Sequence, residues 1–126
     1  MTAARVILAV AGAVYVLLAI AALLQPDFMA AGMGYRLDNI DARNEYSAVY
    51  VGLWLATAAI FAIAARSPDP KMLLVCLLLV AGQVLGRTIS VVVDGLPGLK
   101  SAPAIAIELV GTIVLALLLK RSRAAG

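Results

Sequence analysis

Four long apolar runs, separated by short polar breaks, set the limits on what this chain can fold into. Each holds roughly 20 residues, the length an α-helix needs to cross a hydrocarbon core of about 30 Å. A segment inside a bilayer must satisfy its own backbone hydrogen bonds, and a run of this length does so as a helix. The expected helices cover residues 4–24, 41–65, 71–93 and 103–119, and the longest connection is 25–40. Composition agrees, since 64% of the 126 residues are hydrophobic and only 13% are charged. Soluble domains average about half and a quarter. The length accommodates one small domain, not two. The expected fold is all-α: a single integral membrane domain over residues 1–126, a bundle of four transmembrane helices.

The breaks carry their own signals. The first run follows a single Arg5, as a signal peptide would, but its apolar stretch is long for that role and is expected to remain as a helix. Gln25, Pro26 and Asp27 end it. Residues 28–43 then form either a short amphipathic helix in the interface or an ordered loop. Asp38 or Asn39 caps the second helix, and Asp41 suits the positive end of its dipole. Tyr46, Tyr50 and Trp54 share a face, either anchoring at the headgroups or packing between helices. Gly52 with Ala56, and Gly82 with Gly86, offer small surfaces for close helix approach. The stretch from Arg66 to Lys71 is a tight turn whose prolines stop one helix and launch the next. The stretch from Asp94 to Gly98 is a second turn.

Charge distribution gives an orientation and excludes several functions. With four spans, both termini and the middle turn lie on one side. That side carries Arg5, Arg66, Lys71, Lys120, Arg121 and Arg123, and the other carries Arg36, Arg43 and Lys100. Basic residues concentrate on the cytoplasmic side. Both termini are therefore expected in the cytoplasm, with the 25–40 loop and the Asp94-Gly95 turn outside. No basic patch with interleaved aromatics exists to grip nucleic acid. A single cysteine, Cys76, and no histidine exclude an internal disulfide and the usual zinc sites. Cys76 is expected to be an apolar filler. No catalytic residue stands out, because Ser90 has no activating base in sight. No cofactor or metal is expected.

One charge lies deep inside an apolar run. Arg87 falls within residues 72–93, and Gln83, Arg87, Ser90 and Asp94 recur on one helix face. An ionisable residue at such a position suggests a functional site. At 1.5 Å per residue, Arg87 lies about 10 Å inside Asp94. Glu45 near the start of the second helix and Glu108 near the start of the fourth fall in the same leaflet, the outer one. Arg87 is expected to pair with these carboxylates, its planar fork of five donors being able to hold two at once. Arg87 against Glu45 and Glu108 leaves one negative charge over, and Asp94 adds another. Such a site takes up a proton, water or a cationic group, or else the network only fixes helix register.

Asn44-Glu45, Tyr50-x-Gly52-Leu53, Gly86-Arg87-x-x-Ser90-x-x-x-Asp94-Gly95-x-Pro97 and Glu108 together resemble a family of small bacterial four-helix membrane proteins of unknown function. The resemblance spans most of the chain, and its most specific part is the Gly-Arg and Asp-Gly-x-Pro segment. It implies a four-helix bundle in the bacterial inner membrane. Glu45, Arg87, Asp94 and Glu108 are the positions it favours, with Asn44, Ser90, Gln83 and Tyr50 beside them. The leading expectation is an outward-facing polar pocket that binds a lipid headgroup or small amphiphile, with membrane lipid as the partner. One alternative is an accessory subunit docked on a membrane-protein partner or a second copy, its Arg/Glu network purely structural. The other is a small proton-coupled transporter, similar to small multidrug exporters in size and helix count. Those proteins carry their key glutamate in the first helix, and this first run has no carboxylate.

Overall fold

All four apolar runs are helical in the computed structural model, which describes residues 2–124. Met1, Ala125 and Gly126, which the expected domain 1–126 includes, lie outside the described residues. The elements are α1 (Thr2–Leu24), α2 (Pro26–Gly32), α3 (Ile40–Arg66), α4 (Pro70–Asp94) and α5 (Ala102–Ala124). There is no strand among the described residues. All but α2 are long and apolar enough to cross a membrane. Only 11–22% of the most apolar stretch of each is buried, so Leu17, Leu24, Leu78 and Leu85 are among many apolar side chains left outward. Continuous apolar surface on this scale is foreign to a water-soluble monomer and suits hydrocarbon as the solvent.

The chain divides into two compact units, Met1–Arg66 and Ser67–Gly126. In the first, α1 and α3 pack antiparallel. Leu8, Gly12, Ala19 and Ala22 line the buried face of α1, and Ala58, Phe61 and Ala64 that of α3. Contact is closest at Gly12, where a Cβ would lie 3.3 Å from both the Ala58 carbonyl oxygen and Phe61 Cβ. Small residues allow such approach.

The connection before α3 combines the two expected forms. Pro26 ends α1 and also opens α2 at its first turn, where its missing N–H costs nothing. Gly34, at φ +86°, then closes α2. Its N–H bonds to the Ala31 carbonyl at 3.1 Å, and the Tyr35 N–H reaches back to Ala30 at 2.8 Å. This is a Schellman ending, which needs the left-handed backbone that glycine adopts readily. Of the two candidate caps for α3, Asn39 is the one used, its Oδ1 accepting the Ala42 N–H at 2.8 Å.

The spacing predicts an uninterrupted second helix over 41–65. The chain instead makes a π-helical turn at Ala48–Leu53 within α3. The aromatic stripe accounts for it. In a regular α-helix two steps of four residues drift by about 80° around the axis. The wider π turn takes up that drift and keeps Tyr46, Tyr50 and Trp54 in line, with ring centroids 4.9 and 5.1 Å apart. Tyr46 is 4% exposed and packs with Ala22 and Ala30, while Tyr50, Trp54, Met29 and Leu37 close around them. At Tyr46 the stripe therefore serves helix packing.

In the second unit, α4 and α5 form an antiparallel pair. Asp69 caps α4, accepting the N–H groups of Lys71 at 2.8 Å and Met72 at 3.0 Å, and Pro70 sits in the first turn. Gly95, at φ +95°, ends the helix, and a 3-10 turn at Leu99–Ser101 leads into α5. Helix α5 runs to Ala124, five residues beyond the expected 119, because the cations Arg121 and Arg123 favour the negative end of the dipole. Leu73, Cys76 and Val80 of α4 are buried, as are Leu115 and Leu119 of α5. Cys76 is a buried free thiol, as an apolar filler would be.

The close approaches differ from those expected. In the second unit, the glycine at a contact is Gly111, where a Cβ would stand 3.4 Å from Val80. Among the described residues, a Cβ on Gly82 or Gly86 would meet nothing within 4 Å, and one on Gly52 only the Ser47 carbonyl oxygen of its own helix. The reason is angular. Gly82 and Gly86 lie about 100–140° around α4 from Arg87, on a different face from the buried stripe.

Candidate functional site

The buried stripe of α4 changes character partway along. Leu73, Cys76 and Val80 are buried, and the same alternation of three and four residues continues through Gln83, Arg87, Ser90 and Asp94. Such spacing keeps one seam facing a neighbouring helix. The seam is apolar toward the start of α4 and polar toward its end.

Across this polar half stands α5. The Nε of Arg87 donates to Glu108 Oε2, and its Nη2 donates to Oε1 at 2.7 Å. The pair is bidentate, the strongest geometry available to guanidinium and carboxylate. Burial is unequal, with the Glu108 side chain 11% exposed and that of Arg87 38%. The carboxylate is held inside, and more of the Arg87 side chain is left outward.

A recess of about 200 Å³ opens beside the pair. Val84, Val91, Ile105 and Leu109 give it apolar walls, and Arg87, Thr88 and Glu108 give it a polar edge. The Thr88 hydroxyl donates to the Val84 carbonyl at 2.8 Å, and that of Thr112 donates to the carbonyl of Glu108 at 2.8 Å. Thr88 is absent from the sequence-based set; its signal there is only its place next to Arg87.

On the other flank of Arg87, the Ser90 hydroxyl donates to Asp94 Oδ2 at 3.0 Å. This folds the Asp94 carboxylate back along the helix. Gln83 is partly buried on the same stripe. The structure thus brings Arg87 to Glu108, and Ser90 to Asp94. Among the described residues, no three His, Cys, Asp or Glu side chains gather in a group that could hold a metal ion.

Asn44, Glu45 and Tyr50 belong to the first unit. Asn44 and Glu45 are exposed in the early turns of α3. Tyr50 lies in the π turn, where its hydroxyl donates to that of Tyr35 at 3.1 Å. Two further features there have no local sign in the sequence. Arg43 pairs with Asp27 at 2.8 Å across 16 residues of chain. The Tyr46 hydroxyl is buried with no hydrogen-bond partner among the described residues.

These features define a helical multi-pass membrane protein with an ion pair inside its spans. Over residues 3–119 the chain matches the family described as a domain of unknown function, DUF4345, and it belongs to that family. No curated protein and no solved structure matches it.

Proposed function

We propose that this protein binds the headgroup of a membrane lipid or small amphiphile at the Arg87–Glu108 recess, in the outer leaflet of a bacterial inner membrane. The observation that carries the reading is the uneven burial of the pair. Glu108 is nearly enclosed, while 38% of the Arg87 side chain remains exposed beside an apolar-walled recess. An amphiphile needs both features, a charged edge for its head and aliphatic walls for the start of its tail. A pair that only fixed helix register has no need of the recess.

The test must separate folding from binding. Replacing a buried ion pair with apolar residues of similar volume is often neutral for stability. The double variant Arg87→Met/Glu108→Leu is therefore expected to fold and yet lose the site. In native mass spectrometry from mild detergent, the wild type is expected to retain a discrete adduct that the double variant lacks. An adduct that persists in the folded double variant, or none in the wild type, would refute the reading.

A second reading, an accessory subunit, draws on Gly82 and Gly86, where α4 has open space. A protein copurifying with the wild type and lost from Gly86→Leu would favour it.

A further inference from the structure

We infer that an exposed face of α5 holds an anionic phospholipid, its acyl chain along Leu109, Ile113 and Ala116 and its phosphate among Lys120, Arg121 and Arg123. This face lies apart from the recess, since Lys120 stands about 18 Å beyond Glu108 along the helix axis. Glu108, Leu115 and Leu119 are the buried side of α5. About a third of a turn around the helix, Leu109, Ile113, Ala116 and Lys120 follow one another at steps of four, three and four, and all are exposed. The stripe is apolar until its last member, which is a cation.

Cations then close the end of the stripe. Arg121 and Arg123 fall on either side of Lys120 around the helix. Helical side chains tilt toward the start of their helix, so Arg123 leans back to the level of Lys120. Because α5 runs to Ala124, all three stand on one regular turn. None of them forms an ion pair with another of the described residues. No acidic residue follows Glu108 in the chain. Contacts of Arg87 with Glu108, and of Val80 with the Gly111 position, set the register of the antiparallel pair and bring the start of α4 beside this end of α5. The carboxylate that arrives with it, Asp69, accepts the N–H groups of Lys71 and Met72, and the Lys71 ammonium offsets its charge. Lys120, Arg121 and Arg123 are left as an uncompensated cluster.

The complement of this arrangement is a phosphate diester with a tail. Its oxygens meet guanidinium groups through paired N–H donors, and an ammonium as a point charge. A zwitterionic headgroup brings its own cation among the three and is disfavoured. Leu109 and Ile113, with the short side chain of Ala116 leaving room beside them, receive the acyl chain that hangs from the phosphate. Orienting a membrane protein requires only that basic residues be numerous in a flank. It does not require them on one helical turn at the end of an exposed apolar stripe. Basic residues next to a span attract anionic lipid, and the stripe supplies the place for its tail. In the proposed orientation this lipid belongs to the cytoplasmic leaflet.

Fluorescence quenching by brominated lipid tests this on the full chain, in vesicles with the same lipids in both leaflets, so the result is independent of orientation. Trp54, the one native tryptophan, is replaced by phenylalanine, and Ile113→Trp places a reporter on the stripe about 10 Å from Lys120. Phosphatidylglycerol and phosphatidylcholine are mixed, and one or the other carries bromine midway along its acyl chains. Phosphatidylglycerol is expected to occupy the stripe about fivefold more readily, the scale of one basic residue at a charged surface. The preference should vanish in Lys120→Gln/Arg121→Gln/Arg123→Gln, with helicity kept by circular dichroism. It should also shrink in about 1 M salt, where the Debye length is about 3 Å. It should persist in Arg5→Gln/Arg66→Gln/Lys71→Gln, which removes as many cations from the same side. Equal quenching by the two lipids, or an equal loss of preference in both triple variants, would overturn the inference. Quenching by neither lipid would overturn it too, by showing that protein covers this face.

Discussion

At the scale of single residues, two side chains carry unusual electrostatic risk. Breaking a buried ion pair from one side costs more than replacing it whole, because a charge is left behind. Arg87→Ala strands Glu108, whose side chain is 11% exposed, so a loss of about 2–3 kcal/mol is expected. That is below the cost at a fully buried pair, because Arg87 itself is over a third exposed. Equilibrium unfolding in mild detergent measures it, and adding Glu108→Leu to an Arg87→Met background should restore most of the loss. Tyr46 presents the opposite case. Among the described residues its hydroxyl is buried without a hydrogen-bond partner, and an unsatisfied polar group costs about 1–3 kcal/mol. Tyr46→Phe keeps the ring stacked on Tyr50 and is expected to raise stability by about 1 kcal/mol. A destabilised Tyr46→Phe would instead reveal a bound group that the hydroxyl serves. Arg87 was legible in the sequence, since an apolar run makes any charge conspicuous. The orphaned hydroxyl of Tyr46 was not, because it depends on how Ala22 and Ala30 close over the ring.

Among the elements, helix contacts are decided by which face is buried, and small-residue spacing alone does not reveal that face. Gly12 and Gly86 make the comparison. A side chain at Gly12 runs into the Ala58 backbone at 3.3 Å, and backbone cannot give way as a flexible side chain does. Gly12→Leu is expected to cost about 1–3 kcal/mol through overpacking. Gly86→Leu meets open space and should be neutral, or stabilising by a few tenths of a kcal/mol through helix propensity. Thermal midpoints of the two variants in one detergent check this, and equal shifts would count against the packing described for α1 and α3. The same logic marks the limit of what the sequence disclosed. The turns at Asp69-Pro70 and Asp94-Gly95 were legible, because cap and turn chemistry is local. The π turn at Ala48–Leu53 was not, since it answers the packing of Tyr46 against α1 and α2. Its trace in the sequence is three aromatic residues spaced by four, one residue too wide for a straight α-helical stripe.

For the molecule as a whole, the four long helices were legible from length and apolarity, properties that a bilayer reads without regard to tertiary contacts. Each unit pairs two of them antiparallel, so each returns the chain to the side from which it entered. The proposed orientation, with the turn before α4 in the cytoplasm and the turn after it outside, follows from the excess of Arg and Lys near Arg66, Lys71 and Lys120. It decides which leaflet the polar half of the α4 seam meets, and so which lipids reach Arg87. Cysteine labelling tests it in a Cys76→Ala background, which removes the one native thiol. Ser67 and Leu96 are exposed in the turns at the two ends of α4. A membrane-impermeant maleimide added to intact cells with a permeable outer envelope is expected to label Leu96→Cys, and to label Ser67→Cys only after lysis. The reverse pattern would place Arg87 and Glu108 in the cytoplasmic leaflet. The headgroup site would then draw on the inner pool of lipid, and the basic residues near Lys120 would lie outside, against the rule that orients most helical membrane proteins.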